Sequence, residues 1–349
     1  MSNESKKDTG SSQAEDQPKG AAIGLDVGTS RIVSATGDGK SDPKFDSQLN
    51  AFVDIPYSKI TLGALRRENV PHTVAGERII VQGNESAKLA GWLNAEIRRP
   101  MTRGVLDASE PESLRVIADL LSSMLSGLDS EGKKVVYTVP AAPLGAEGSL
   151  TFHGSTLSQM LKDLGYESTS INEGLAVVYS ELEESNYTGI GVSCGGGLCN
   201  VCLAYLSVPV LSFSIPKAGD FIDASAAEIT GERRNRIRLA KEDSFHLNGN
   251  LTDKTHQVIS VYYEDVLQTL VMALKEAMSH AGNLAQFDRS IPLVLSGGTA
   301  MPAGFRDRFA KLLEQQNMPL KISDVRMAAD PLNATAKGAL QCALSEMES

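Results

Sequence analysis

The chain has 349 residues, 42% of them hydrophobic, and a formal net charge of -10. That length can bury a full core and sets an expectation of two domains or lobes. Acidity without a clustered basic face excludes a nucleic-acid footprint, no stretch approaches the roughly 20 apolar residues of a spanning helix, and four cysteines in a chain this long require no disulfide framework.

Residues 1–19 are polar, of mixed charge and without an apolar run. They read as a disordered tail, not a signal peptide or membrane anchor, so a cytoplasmic protein with no direct membrane insertion is expected. Residues 23–31, IGLDVGTSR, then form an apolar strand that ends in an acid and breaks into a small, hydroxylated turn. Gly28 lets the backbone approach an anion with no Cβ in the way, Thr29 and Ser30 add hydroxyl donors, and Asp26 can hold a hydrated cation. The same pattern also suits an ordinary hairpin with Asp in its turn.

RIVSAT at 31–36 can return as the second strand of a hairpin, and polar GDGKSDPK at 37–44 marks a loop. Residues 45–100 read as irregular, with strand candidates at 51–55 and 78–82 and a helical stretch at 84–97, which suits a small inserted subdomain. After Pro111, Leu114, Val116, Ile117, Leu120, Leu121, Met124 and Leu125 fall on one face of a helix. VVYTV at 135–139 is a buried strand, and a helix at 155–164 stops at Gly165. Strand and helix alternate as in an α/β layer.

In SINEGLAVVYSEL at 170–182, Asn172 can cap a helix whose first turn holds Glu173. A carboxylate there is favoured by the helix dipole, and it also suits a base that orients or deprotonates water in phosphate-ester hydrolysis. A second glycine turn follows in GVSCGGGL at 191–198, with Ser193 in the place that Asp26 takes in the first. Cys199 and Cys202 form a C-x-x-C, but a strand puts them on opposite faces, and no partner stands at zinc-like spacing.

Residues 201–206 and 210–215 extend this second sheet, and KAGDFIDASAAEI at 217–229 begins a helix with Gly219 at its approach, where free backbone N–H groups could meet a phosphate or ribose. The charged run at 231–245 reads as a solvated helix and the segment near 256–281 as a core helix. IPLVLS at 291–296 is a buried strand that delivers a third glycine turn, LVLSGGTAM at 293–301, before helices near 302–316 and 330–344.

Four ordered segments now carry a family resemblance. DVGTS (26–30), NEGLAVVY (172–179), VSCGGGL (192–198) and LSGGTAMPAGFRDRF (295–309) resemble the phosphate 1, connect 1, phosphate 2 and adenosine motifs of the actin, DnaK-type chaperone and sugar-kinase superfamily. KAG (217–219), KEDSF (241–245) and DPLNATAKGAL (330–340) are similar to bacterial actins of the MreB and MamK type.

The resemblance implies an α/β, two-lobed actin-like fold, a duplicated ribonuclease H-like core with the nucleotide in the cleft between lobes. Lobe I would span 20–180 with an insertion at about 45–100, lobe II 181–329 with an insertion at about 220–288, and residues 330–349 would return to lobe I as a helix. By motif position, Asp26 would hold Mg²⁺ through water and Gly28, Thr29 and Ser30 would contact the phosphates of ATP. Glu173 would position the attacking water, Gly195, Gly196 and Gly197 would wrap the phosphates from the other side with Gly219 nearby, Lys241 and Glu242 would line the nucleoside pocket, and Gly297, Gly298, Thr299 and Met301 would form its floor. The implied function is an actin-like cytoskeletal ATPase whose partner is itself, in a homopolymer filament, together with an unidentified cargo or adaptor. A non-filamentous chaperone-like or scaffold pseudo-ATPase and a small-molecule kinase are the alternatives. The chain departs from the motif where Ser193 replaces the aspartate of phosphate 2, and Leu198 and Cys199 replace its hydroxyl pair, so binding with slow or absent hydrolysis is expected. An amphipathic membrane-binding helix is not expected in so polar a tail.

Overall fold

A computed structural model describes residues 22–93, 95–128, 134–144, 150–251, 253–281 and 290–348; the polar tail expected at 1–19 lies outside them. In the first half, β1 (Ala22–Val27), β2 (Arg31–Gly37) and β3 (Lys44–Leu49) form an antiparallel meander. A small three-stranded sheet follows, from β4 (Phe52–Pro56), β5 (His72–Ala75) and β6 (Arg78–Gln82). Helices α1 (Lys59–Arg67) and α2 (Asn84–Leu93) cover one of its faces through Leu65 and Ala90, which pack with Val53, Ile55, Ile79 and Val81. The short hairpin β7 (Met101–Thr102) and β8 (Val105–Leu106) leads to α3 (Ser113–Leu125), whose buried face runs from Val116 to Leu125 while Leu114 is exposed. Then come β9 (Lys134–Val139), α4 (Thr151–Asp163), β10 (Glu167–Asn172) and α5 (Glu173–Glu181).

The second half repeats the order. Strands β11 (Gly189–Cys194), β12 (Cys199–Tyr205) and β13 (Val208–Ile215) form a meander, followed by α6 (Gly219–Thr230), α7 (Arg234–Asp243), α8 (Lys254–His280), β14 (Ile291–Ser296), α9 (Phe305–Glu314), β15 (Ile322–Met327) and α10 (Ala334–Glu348). The first sheet runs β3-β2-β1-β9-β10 and the second β13-β12-β11-β14-β15. In each, the first strand pairs antiparallel with the second and parallel with the strand that comes after the intervening segment. The two sheets are topological copies.

Their closing helices are exchanged. Helix α5 ends the first half but packs on β11 and β12, and α10 ends the second but packs on β1 and β9; α5 and α10 also pack on each other. Small residues permit this. A Cβ on Gly338 would run into the backbone of Ala176 in α5, and one on Gly24 into the backbone of Ala336 and Leu340 in α10.

The strand at 44–49 differs from the sequence expectation of loop and irregular chain, and the strands at 167–172 and 322–327 fall where the sequence suggested no element. All three are edge strands. Their sequences KFDSQL, ESTSIN and ISDVRM carry mostly partly or fully exposed side chains, so they lack the apolar run that marks a central strand. Helix α1 also falls in the stretch expected to be irregular; Ser58 starts it, its Oγ accepting from the N–H of Thr61.

Candidate functional site

A cavity of about 490 Å³ is lined by both halves, inside the range of roughly 300–1,000 Å³ of small-molecule sites. The sequence-expected residues converge on it. Asp26 comes from the end of β1, Gly28, Thr29 and Ser30 from the β1–β2 turn, Gly195, Gly196 and Gly197 from the β11–β12 turn, and Gly297, Gly298, Thr299 and Met301 from the segment after β14. Glu173, Gly219, Lys241 and Glu242 complete the set.

In each of the first two turns the carbonyls are tied from behind. The buried Asn50 donates its side-chain N–H to the Gly28 carbonyl at 2.9 Å and its backbone N–H to that of Ser30 at 3.0 Å. In the second turn, the Gly219 N–H donates to Gly195 O at 3.2 Å, the Asp220 N–H to Gly196 O at 2.7 Å, and Thr299 Oγ1 to Gly195 O at 2.7 Å. Among the described residues, no acceptor takes the N–H groups of Gly196 or Gly197. Turns with engaged carbonyls and spare N–H groups are anion-binding nests. The expectation of a free N–H at Gly219 is corrected: the start of α6 spends its first N–H groups on the second turn and positions it, instead of offering them to a ligand.

The turns also approach each other. A Cβ on Gly196 would collide with the Ser30 hydroxyl, and one on Gly197 with the Thr29 hydroxyl and the Gly104 N–H. Gly104, at the tip of the β7–β8 hairpin, donates to Thr29 Oγ1 at 3.0 Å and lies under the side chain of Leu198. Leu198 thus packs across the gap between halves. Arg99 adds an ion pair to Asp220 on α6.

Below the turns stand two partly buried carboxylates. Asp26 accepts from Thr138 Oγ1 at 2.7 Å and from Thr335 Oγ1. Burial raises its pKa against the pull of those two hydrogen bonds. Glu173 starts α5, which Asn172 caps as expected, its Oδ1 accepting from the N–H groups of Gly174 and Leu175 at 2.8 and 3.3 Å. One Glu173 oxygen accepts from Asn200 Nδ2 at 2.9 Å and from Ser193 Oγ at 3.2 Å. Burial first, and the charge of Asp26 second, push the Glu173 pKa up to about 8.

Part of the lining is apolar or aromatic. Tyr263, Phe245, Met301, Pro302, Ala303 and Leu332 form it, with the Phe245 and Tyr263 rings stacked at 5.1 Å. Lys241 is buried, pairs with Asp223 at 2.6 Å and donates to Gly219 O at 3.1 Å. Helix α7 is therefore not simply a solvated face: its Ile237 and Lys241 are buried. Arg238 stands 4.0 Å from Glu242.

The C-x-x-C thiols face opposite sides of β12, Cys199 among the residues under α8 and Cys202 against α5, and among the described residues no cluster of His, Cys, Asp and Glu is built to hold a metal ion. Sequence reasoning did not single out Thr138, Thr335, Asn50, Asn200 or Asp223 as site residues. Their signal was thin: each is a polar residue inside a buried stretch, which becomes meaningful only when its partner is known.

A family model described as Volactin matches residues 21–343, whereas no curated protein matches the sequence. Among solved structures, the chain is similar to "MamK double helical filament", at 19% identity and a TM-score of 0.71, over 93% of this chain and 98% of that one. It is similar to MreB 5 of Spiroplasma citri bound to AMPPNP, at 14% identity and a TM-score of 0.68, over 95% and 99%. It is also similar to the ethanolamine utilization protein EutJ from Carboxydothermus hydrogenoformans, at 17% identity and a TM-score of 0.55, over 93% and 90%. The fold is that of the actin-like proteins, as the four motifs imply.

Proposed function

The chain belongs to the Volactin family, and from that premise we propose that it is a nucleotide-binding cytoskeletal protein that assembles with itself into filaments under control of ATP binding and hydrolyses ATP slowly. The observation that carries the nucleotide reading is the pair of glycine turns from opposite halves, each with its carbonyls engaged, facing one cavity. The apolar part of the lining suits a purine, and the turns suit its phosphates. Self-assembly is supported by the likeness to a structure titled as a filament of MamK.

The oxygen donors fit a hydrated Mg²⁺, a hard cation that keeps most of its waters. Asp26 would hold it through water, and when bound it supplies charge to the phosphates. Each Asp26 oxygen already accepts one threonine hydroxyl and keeps a lone pair for such a water. Glu173 orients the attacking water, in the role of an acceptor positioned at a helix start. Ser193 brings no charge, and its hydroxyl is spent on Glu173, so the ion and the water are held from one half only. Slow hydrolysis follows from that imbalance. No helix among the described residues is long and apolar enough to cross a membrane, and we place filament growth in the cytoplasm.

Two measurements test this reading. Isothermal titration should show one ATP per chain, and phosphate release at saturating ATP and Mg²⁺ should be slow and lost in Glu173→Ala. A release rate typical of active bacterial actins would remove the handicap assigned to Ser193. Negative-stain microscopy should show filaments with ATP; a chain monomeric with ATP, with ADP and without nucleotide would overturn assembly. In that case a scaffold of the same fold becomes the better account.

A further inference from the structure

Three of the acids that line the cavity stand against cations. Asp220 is paired with Arg99, Asp223 with Lys241, and Glu242 lies nearest Arg238. Asp26 and Glu173 remain below the turns, held by neutral hydroxyl and amide donors. Three arginine and lysine side chains line the cavity: Arg31, Arg238 and Lys241. Of these, Arg31 makes no ion pair and no side-chain hydrogen bond among the described residues, and it is exposed.

Its direction follows from the hairpin. Asp26 on β1 pairs with Val33 on β2, and paired residues of an antiparallel ladder project from the same face. Alternation puts Arg31 on that face too, two residues or about 7 Å farther out. Asp26, Val33 and Arg31 all line the cavity. Arg31 therefore enters from the first residue after the Gly28–Ser30 turn, beside that turn.

We propose that Arg31 is a phosphate-binding residue which supplies much of the positive charge a nucleoside triphosphate needs here, so that triphosphate binding persists without a divalent cation. The proposal rests on the nucleotide reading of the cavity. Two features of the second half agree with it: Ser193, which stands where the first half has Asp26, carries no charge, and Leu198 presents an apolar side chain to the cavity. A guanidinium has five donors and no proton to lose at physiological pH, which suits it to hold phosphate oxygens directly.

The test is ATP affinity by isothermal titration with Mg²⁺ and with EDTA, on the full chain and on Arg31→Ala and Arg31→Lys. The native chain should lose less than about tenfold in affinity in EDTA, while Arg31→Ala in EDTA should fall by a further tenfold to hundredfold, the worth of a hydrogen bond between charged groups. Arg31→Lys should restore part of the loss, and adenosine should bind all three proteins alike. Because Arg31 is exposed, circular dichroism should show all variants folded. If EDTA abolishes ATP binding by the native chain, or if Arg31→Ala binds ATP in EDTA as well as the native chain does, the proposal fails and the nucleotide reading stands. If the native chain binds no ATP under either condition, the nucleotide reading fails and takes this inference with it.

Discussion

The β1–β2 turn and the β11–β12 turn are the same device built from different parts. Both follow the first strand of a copied sheet, both return through an antiparallel hairpin, and both have their carbonyls engaged by the protein. Asn50 does this work in the first half, and the start of α6 with Thr299 does it in the second. At the strand ends the equivalence breaks: Asp26 is a charged group held by two threonines, whereas Ser193 is neutral and turned toward Glu173. The two turns thus share a backbone geometry and differ in the side chain that each strand end presents.

The largest expected effect comes from the residue both sides share. Glu173→Gln should lower phosphate release by about 100-fold or more, the usual contribution of a positioned base, with ATP affinity nearly unchanged; release at the native rate would detach Glu173 from the chemistry. A second prediction concerns the first half alone. His153 is buried near the Leu106 N–H, and burial lowers its pKa to about 4. The folded state therefore binds this proton less readily than the unfolded chain, whose value is near 6.5. Stability should be complete above pH 6.5 and decline as pH falls toward 4, by about 3 kcal/mol in all. His153→Leu should flatten that decline in denaturant titrations, and an unchanged slope would show that other groups cause it.

Restoring symmetry is the third. Ser193→Asp should raise magnesium-dependent phosphate release by about tenfold, as expected for one added electrostatic contact in the site, and should do nothing in EDTA. The smallest effect is local. Asn172→Ala removes the cap of α5 and should cost about 1 kcal/mol, read as a lower midpoint in chemical denaturation without loss of ATP binding.

The fold's interior was legible in the sequence because its central strands are apolar runs and its helices keep an apolar face. The glycine turns were legible because only small residues allow the approach of Gly196 to Ser30. What stayed hidden was hidden for physical reasons. Edge strands such as Lys44–Leu49 are half exposed and need no hydrophobic pattern. The exchange of α5 and α10 between sheets depends on tertiary packing that no local signal encodes. The partners of Asp26, Thr138 and Thr335, lie 112 and 309 residues away, and nothing near either residue announces the carboxylate it serves. Gly219 misled because a helix start resembles a phosphate site even when its N–H groups already hold a neighbouring turn.

The most direct measurement is sedimentation of the native chain and Gly197→Val, side by side, with ATP, ADP and no nucleotide. A side chain at 197 cannot coexist with Thr29 and Gly104 in the present arrangement, so the two halves should no longer close on a ligand. A pellet that depends on ATP is expected for the native chain and none for the variant, which should remain folded by circular dichroism. Equal pellets from both proteins, or no pellet from the native chain in any nucleotide state, would contradict assembly governed by the two-turn clamp.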